Sequence, residues 1–142
     1  MYQDLVLATD GSEGAAQATE HAIELAYRLE STLHILSVAE EGPHSTEKRD
    51  EMRTDAESDA EAAVAEAERA AADVGIEVTT TILDGVPQDE IVGFADEQGM
   101  DMIIVGTVGR SGLDKLVVGS VAEEVIQNAS VPVVTVRESE AE

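Results

Sequence analysis

The sequence predicts an α/β protein built on one open, parallel five-stranded sheet with helices on both faces. Five short segments are rich in Val, Ile, Leu and Thr, and segments with helical spacing of apolar residues separate them. In the first of these strands apolar residues stand at successive positions, as in a strand buried on both faces of a parallel sheet. Leu, Ile, Val and Phe total 35 of 142 residues, enough for the core of a single domain over residues 1–142.

The first elements are a strand, a turn and a long helix. Asp4–Ala8 is predicted as the strand, Thr9–Ser12 as the turn and Ser12–Leu29 as the helix, because apolar residues recur there at helical spacing. Leu33–Val38 is predicted as the second strand, and the charged segment 39–50 as a mobile loop. The helix face expected to be buried consists of Ala15, Ala18, Ala22, Leu25 and Leu29.

The second helix, over Glu51–Val74, is rich in Ala and Glu and has two interpretations. Its acidic faces could dock a basic partner, or they could face water while a narrow apolar stripe packs on the sheet. Charge runs usually face solvent, which favours the second interpretation. The stripe consists of Met52, Ala56, Ala60, Ala63, Ala67 and Ala70.

A third strand and helix follow. Glu77–Leu83 alternates and is rich in Thr, Ile and Val, which is typical of a strand. Asp84–Pro87 is predicted as a turn, with Pro87 at the first helical position, and Gly99 ends the helix. The residues expected to face the core are Ile91, Phe94 and Ala95.

The last two predicted strands are separated by a long loop and a helix. Met102–Val105 is the most apolar short run and is predicted as the fourth strand. A helix with apolar residues at helical spacing ends at Asn128, and Val131–Val136 is the fifth strand. Residues 137–142 are predicted to form a frayed acidic tail.

Charge is the most unusual property of the sequence. Thirty-one acidic residues stand against eight basic ones, a formal net charge of −23 at pH 7. Repulsion of this size destabilises a compact state in dilute buffer, whereas at about 1 M salt the screening length falls to roughly 3 Å. We therefore expect a halophilic protein that melts at a lower temperature in salt-free buffer than in about 2–3 M KCl. Equal melting temperatures in the two buffers, measured by circular dichroism, would contradict this interpretation.

Composition also speaks against several functional classes. An acidic surface does not suit nucleic acid, and one Phe, two Tyr and no Trp leave no platform on which bases stack. The sequence has no Cys and no apolar run of the ~20 residues that a membrane span needs. The three His lack the spacing of metal ligands. We expect a cytoplasmic protein that binds neither membranes nor nucleic acid.

The segment Gly106–Ser120 combines the features of a phosphate-binding loop. It is rich in glycine, follows a buried strand and leads into a helix whose positive end would face a bound anion. Thirteen residues separate Val105 from Gly119, whereas most βα connections have roughly two to six. The glycine spacing matches neither a Walker A loop nor a dinucleotide-binding fingerprint.

The pattern Gly106-x2-Gly109-x9-Gly119-Ser120 resembles the nucleotide signature of the universal stress protein family, in its ATP-binding branch. Residues 8–12 are similar to the first loop of that family, and residues 132–136 to its last strand. The resemblance implies a Rossmann-like sheet of strand order 3-2-1-4-5, of the adenine nucleotide alpha hydrolase type, which binds ATP, or AMP or ADP, with Mg²⁺. In this order strands one and four are neighbours where the strand order reverses, so both loops would face one crevice.

The resemblance also implies roles for residues around that crevice. Asp10 would hold ribose hydroxyls or organise Mg²⁺ through water, and the backbone of Val38 would meet the adenine edge. A turn aspartate and a core valine are the alternatives for these two residues. The glycines would lie against the phosphates, and Ser120 would cap the outermost one. The expected nucleotide-binding residues are Thr9, Asp10, Val38, Val105, Gly106, Thr107, Gly109, Arg110, Gly119, Ser120 and Val121.

Three side chains of the loop bear on its chemistry. Arg110 and Lys115 could reverse the acidic field around bound phosphate, together with Mg²⁺ and the helix N-terminus, or they could be ordinary surface charges. Val108 stands where members of the family often carry His or another polar residue, so catalytic assistance from this position is not expected.

The fifth strand predicts a homodimer. In the implied strand order Val131–Val136 lies at the edge of the sheet, where unpaired backbone groups invite another chain. No Lys or inward charge protects it before Arg137. Antiparallel pairing about a two-fold axis would bury Val133, Val134 and Val136 against the partner, and the family resembled commonly dimerises through this strand.

The sequence is compatible with three functions. A nucleotide-dependent regulatory protein of the universal stress class, acting through unidentified protein partners, is the leading one. The second is a slow ATPase or a nucleotidyl-transferring enzyme, but Ser12, Ser111 and Ser120 have no His or Lys partner at a recognisable spacing and no catalytic residue is assigned. The third is a dimerisation module whose loop binds no ligand. The intact set of glycines and Ser120 argues against this function.

Overall fold

The computed structural model describes residues 2–40, 46–107 and 120–137, and there the predicted alternation of strands and helices is present. The elements are β1 Asp4–Ala8, α1 Glu13–Leu29, β2 Thr32–Glu40, α2 Thr46–Ala72, β3 Val78–Gly85, α3 Pro87–Gln98, β4 Met102–Gly106, α4 Ser120–Asn128 and β5 Val133–Val136.

The sheet is parallel throughout and has the order β3-β2-β1-β4-β5, which confirms the predicted fold class. Strand β1 lies at the centre, and Leu5 pairs with Leu33 of β2 on one side and Met102 of β4 on the other. Three successive residues of β1, Leu5, Val6 and Leu7, have no exposed surface. The unbroken apolar run therefore indicated correctly a strand covered on both faces.

Two apolar clusters lie on opposite faces of the sheet. On one face α1 and α2 pack against inward residues such as Leu7, Ile35 and Ile104. On the other face α3 and α4 pack against Val6 and Ile103, among others. Alternate residues of each strand contribute to the two clusters, which is the period-two pattern of a strand.

Helix α1 begins as predicted, since the Ser12 hydroxyl caps it by accepting a hydrogen bond from the Ala15 N–H at 3.2 Å. Its buried face differs from the prediction at the C-terminal end. Leu25 is half-buried and Leu29 is 40% exposed, so neither belongs to the fully buried stripe. The stripe instead follows Ala15, Ala18, Thr19, Ala22, Ile23 and Ala26.

Helix α2 is longer than predicted and begins at Thr46. The predicted stripe is correct at Ala60, Ala63 and Ala67, but Ala70 is exposed and Ala71 is buried in its place. The spacing of four residues from Ala67 to Ala71 keeps the buried stripe over the sheet, because spacings of three and four must alternate to match 3.6 residues per turn. The buried stripe also includes Val64.

The predicted loop over residues 39–50 is wrong at both ends. Ala39 and Glu40 extend β2 because they continue to pair with Asp84 and Gly85 of β3. These two β3 residues were predicted as a turn, and they remain in the strand with Gly85 at φ 141°. Residues 46–50 belong to α2, while 41–45 lie outside the described residues.

The ends of α3 were predicted correctly. Pro87 occupies the first turn, where its missing N–H leaves no helix bond unmade, and Gly99 ends the helix in the left-handed conformation at φ 69°. Ile91 and Ala95 are buried, and Phe94 packs against the same cluster while half-buried.

The last strand is shorter than predicted, since β5 covers Val133–Val136 only. Pro132 still accepts a hydrogen bond through its carbonyl from the Ile103 N–H at 3.0 Å, so the ladder begins before the strand. Of the acidic tail, residues 138–142 lie outside the described ranges. Within the described helices, none is both long and apolar enough to cross a membrane.

Candidate functional site

The strand order places a crevice at the carboxyl ends of β1 and β4. These strands are neighbours, yet α1 follows β1 onto one face of the sheet and α4 packs on the other. Connections that leave adjacent strands in opposite directions open a crevice between them. Helix α4 leads back to the parallel strand β5, so its N-terminus at Ser120 lies at this same end of the sheet. The two ends of the second loop, Gly106 and Ser120, thus lie at the same end of the sheet as the first loop.

The first loop, between β1 and α1, is held by its own hydrogen bonds. The Thr9 N–H donates to the Leu36 carbonyl at 3.0 Å, and the Gly11 N–H donates to the Thr9 hydroxyl at 3.2 Å. The Ser12 N–H donates to Asp10 Oδ1 at 2.9 Å. This closes an Asx turn of the kind that initiates helices. The turn role that was an alternative for Asp10 is therefore present in the structure.

These bonds decide which ligand groups the first loop can receive. The amides of Thr9, Gly11 and Ser12 are already donated within the protein, so they are not free for phosphate oxygens. Asp10 is exposed, and its Oδ2 accepts no bond from the described residues. An open carboxylate oxygen accepts from hydroxyl or amino donors and repels phosphate. The loop suits a ribose or a base rather than a phosphate group.

Ser37 fixes this loop and was missed by the sequence analysis. Its hydroxyl donates to the Thr9 carbonyl at 2.7 Å, and its side chain is only 3% exposed. The bond joins β2 to Thr9, the first residue after β1, and thereby holds the loop that carries Asp10. The available signal was a lone serine within the apolar strand Leu33–Val38, since a buried hydroxyl requires a partner.

Helix α2 forms a side wall of the first loop. Gly11 adopts φ 81°, and a Cβ built there would lie 3.3 Å from the Ala63 Cβ. The positive φ and the tight contact both favour glycine at this position. Small residues on the α2 stripe thus let the helix approach the loop closely.

Gly106 has a role that the glycine spacing did not indicate. A Cβ at this position would lie 2.7 Å from the carbonyl oxygen of Gly14, in the first turn of α1. Backbone therefore packs directly on backbone where β4 ends and α1 begins. The missing side chain serves the packing of α1 on β4, in addition to any contact with a ligand. Gly14 itself was not predicted as a site residue.

Thr107 closes the ladder between β4 and β5. Its N–H donates to the Val136 carbonyl at 3.0 Å, and its hydroxyl faces the same oxygen at 3.5 Å. The amide is therefore committed to β5, while the long hydroxyl contact leaves that group able to turn towards a ligand.

The remaining predicted residues fall into two groups. Val38 lies two positions beyond Leu36, the last β2 residue paired with β1, and is half-buried against the α3 and α4 cluster. Val105 is buried and Val121 half-buried in that cluster, so both have core roles, whereas Ser120 is exposed. Gly109, Arg110 and Gly119 lie outside the described residues, as do Val108 and Lys115.

The described residues include no group of three or more His, Asp or Glu side chains placed to hold a metal ion. Mg²⁺ in nucleotide sites is usually held through one or two carboxylates together with phosphate oxygens and water, so it does not require such a group. Asp10 could contribute through such a water, because its Oδ2 faces no described donor.

Comparison with known proteins gives a consistent match over the chain. The family model described as Universal stress protein family matches residues 1–137. Universal stress protein MJ0531 of Methanocaldococcus jannaschii is 33% identical, with the alignment covering 100% of this chain and 86% of the relative. The solved structure of MJ0577, from the same organism, has a TM-score of 0.86 at 29% identity and covers 99% of both chains.

Two further solved structures contain a nucleotide. A universal stress protein in complex with cAMP has a TM-score of 0.76 at 26% identity, covering 97% of this chain and 99% of that one. The universal stress protein of Archaeoglobus fulgidus in complex with dAMP has a TM-score of 0.73 at 25% identity, covering 95% and 98%. Both ligands are adenine nucleotides.

Proposed function

This chain belongs to the universal stress protein family, and from that premise we propose that it binds an adenine nucleotide, ATP with Mg²⁺, in the crevice between β1 and β4. Binding would set the state in which the protein meets its partners in a stress response. The cAMP and dAMP complexes of related proteins support the choice of an adenine nucleotide. ATP is available in the cytoplasm, which is the location we propose.

The observation that carries this proposal is the division of hydrogen-bonding groups at the crevice. The first loop offers acceptors, the open Asp10 oxygen above all, because its amides are consumed internally. On the other side α4 begins at Ser120 and presents the positive end of a helix, and in the sequence it follows a segment with three glycines and two cations. A nucleotide has hydroxyl and amino donors at one end and phosphate acceptors at the other, and so matches both sides.

In this arrangement six of the predicted residues have a defined task. Asp10 accepts from the ribose hydroxyls or organises Mg²⁺ through water, and Val38 presents its backbone to the adenine edge. Gly109 and Gly119 let the backbone approach the phosphates, and Ser120 with Arg110 binds the outer phosphate. Mg²⁺ would supply charge neutralisation between phosphate oxygens and the acidic protein.

Native mass spectrometry of freshly purified protein tests the proposal directly. We expect a population heavier than the chain by the mass of an adenine nucleotide, which denaturation releases as ATP, ADP or AMP. Protein that carries no nucleotide, and takes none up from millimolar Mg-ATP at high salt, would contradict the proposal. A bound nucleotide with a different base would support nucleotide binding but contradict the assignment of adenine.

A slow ATPase or a nucleotidyl-transferring enzyme is the alternative function. In the first loop the carboxylate of Asp10 already serves the turn through its Oδ1, and no described residue there is identified as a base aimed at the phosphates. We therefore expect hydrolysis far slower than the roughly 1–10³ s⁻¹ of typical enzymes. Phosphate release would be measured with Mg-ATP in excess. A rate above about 1 s⁻¹ that is lost in Asp10→Asn would establish the enzyme instead.

We also propose that the chain forms a homodimer through β5. The carbonyls of Pro132 and Val136 accept bonds from β4, so Val133 and Thr135 direct their N–H and C=O groups to the open edge. Val136 is already buried and Val134 packs against the α1 and α2 cluster, so these two side chains serve the core of their own subunit. Val133 is half-buried against the α3 and α4 cluster, so the contact with a partner rests mainly on the exposed Thr135 and the backbone.

The substitution Thr135→Pro tests this interface. It removes one outward N–H while leaving the groups that face β4 unchanged, so we expect a monomer where the wild type is a dimer at molar KCl. Thr135→Val keeps the N–H and should remain dimeric. Light scattering measures the mass, and low salt should weaken the dimer of two acidic subunits. A wild type that is monomeric at molar KCl, or a dimeric Thr135→Pro, would contradict the proposal.

A further inference from the structure

The opposite edge of the sheet, formed by β3, is open over its full length among the described residues. Strand β3 pairs with β2 alone, in a register that runs without interruption from Val78 to Gly85. The Leu33 N–H donates to the Glu77 carbonyl at 2.9 Å, so alternate β3 residues from Glu77 onwards face β2. The residues between them turn their N–H and C=O groups away from the sheet: Val78, Thr80, Ile82 and Asp84.

The side chains along this edge would allow another strand to pair with β3, because they lack the features that protect natural edge strands from such pairing. Natural edges are blunted by Lys, Pro or bulges, and β3 contains none of these. Thr79 and Thr80 are exposed, and Ile82 is 37% exposed. Two more exposed apolar side chains flank the strand, Val74 at 41% and Val86 at 48%. Two of the six large exposed apolar residues in the described chain, Ile82 and Val86, thus lie in β3 or directly after it.

The charges around the edge indicate the chemistry of its partner. Glu77 stands just before the strand and Asp84 near its end, and both side chains are exposed. No Lys, Arg or His occurs between Arg69 and Arg110, so no cation of that segment offsets these carboxylates. A second copy of the chain would bring the same carboxylates to the interface, whereas a basic segment would neutralise them.

We propose that β3 is a docking strand for an extended segment of a partner protein, which adds to the sheet as a sixth strand. The segment would alternate β-branched or apolar residues with polar ones and carry Lys or Arg at its ends. Backbone hydrogen bonds to the outward groups of Thr80 and Ile82 would provide affinity, and the terminal cations would select the partner. The site is separate from the crevice and does not depend on nucleotide binding.

Titration of the full chain with a Lys-Val-Thr-Val-Thr-Val-Lys peptide tests the proposal by NMR. We expect saturable shifts and slowed hydrogen exchange at the amides of Thr80 and Ile82. At the lowest KCl concentration at which the chain stays folded, the same peptide with Glu at both ends should bind at least about tenfold more weakly, and molar KCl should reduce this difference. No saturable shift at millimolar peptide, or shifts confined to residues 133–137 of the other edge, would overturn the proposal. Pairing of β3 with a second copy would overturn it as well.

Three variants distinguish strand pairing at the β3 edge from nonspecific binding of the peptide. Ile82→Pro removes an outward N–H and should weaken binding of the Lys peptide by about tenfold or more, whereas Ile82→Val should bind like the wild type. Asp84→Lys should reverse the preference, so that the Glu peptide binds more tightly than the Lys peptide. This charge reversal keeps the test decisive if Ile82→Pro does not fold. Unchanged selectivity in Asp84→Lys would overturn the assignment of a basic partner.

Discussion

Gly106→Ala is expected to lower the free energy of unfolding by about 1–3 kcal/mol, the usual range for overpacking a close contact. The added Cβ would lie 2.7 Å from the Gly14 carbonyl oxygen and 3.0 Å from its carbon. Both are backbone atoms in the first turn of α1, so no side chain can rotate away. The strain must move the helix N-terminus and, with it, the loop that holds Asp10.

Gly93→Ala is the matched control for this substitution. Gly93 lies within α3, and a Cβ there would meet nothing within 4 Å. Alanine in a helix interior is more stable than glycine by about 0.5–1 kcal/mol, so the sign of the effect should be opposite. Urea unfolding of both variants at one fixed KCl concentration measures the difference. A Gly106→Ala variant as stable as the wild type would show that β4 and α1 do not meet as closely as described.

Gly109→Val and Gly119→Val are expected to abolish stabilisation by Mg-ATP. A ligand at 100 times its dissociation constant adds about 2.7 kcal/mol to the stability of the protein that binds it. A valine side chain at either position would keep phosphate from the backbone amides, so this increment should vanish. The stability without nucleotide should change little, since these positions are assigned to ligand contact rather than to the core.

Thermal unfolding with and without Mg-ATP measures this increment. Gly93→Ala again serves as control, because it lies in α3 and should retain the full shift. If both valine variants were stabilised as strongly as the wild type, the glycines would have no part in binding. Loss of the shift together with a large loss of stability would assign them a structural role instead.

Local sequence patterns predicted the ends of elements well where one residue type decides the conformation. Ser12 caps α1, Pro87 begins α3 and Gly99 ends it, as expected. Each of these follows from hydrogen bonding or backbone freedom within a few residues. The strand order was available only through the resemblance to a family, because adjacency of β1 and β4 depends on contacts about a hundred residues apart.

Other features depended on tertiary contacts that local patterns do not contain. The charged segment 39–50 had the composition of a loop, but pairing with β3 extends β2 to Glu40, and α2 begins at Thr46. Gly106 was interpreted as a phosphate contact, although its position is already explained by the approach of Gly14. Ser37 was overlooked because its partner is distant in sequence: Ser37 lies in β2, whereas the Thr9 carbonyl lies in the loop after β1.

The location of the bound nucleotide tests the central proposal most directly. In an NMR titration with Mg-ATP at high salt, we expect saturable shifts at the amides of Asp10, Val38, Gly106 and Ser120, which surround the carboxyl ends of β1 and β4. AMP should shift Asp10 and Val38 similarly and Ser120 less, because it lacks the outer phosphates. The absence of saturable shifts, or shifts that map to the amino ends of the strands, would contradict nucleotide binding in this crevice.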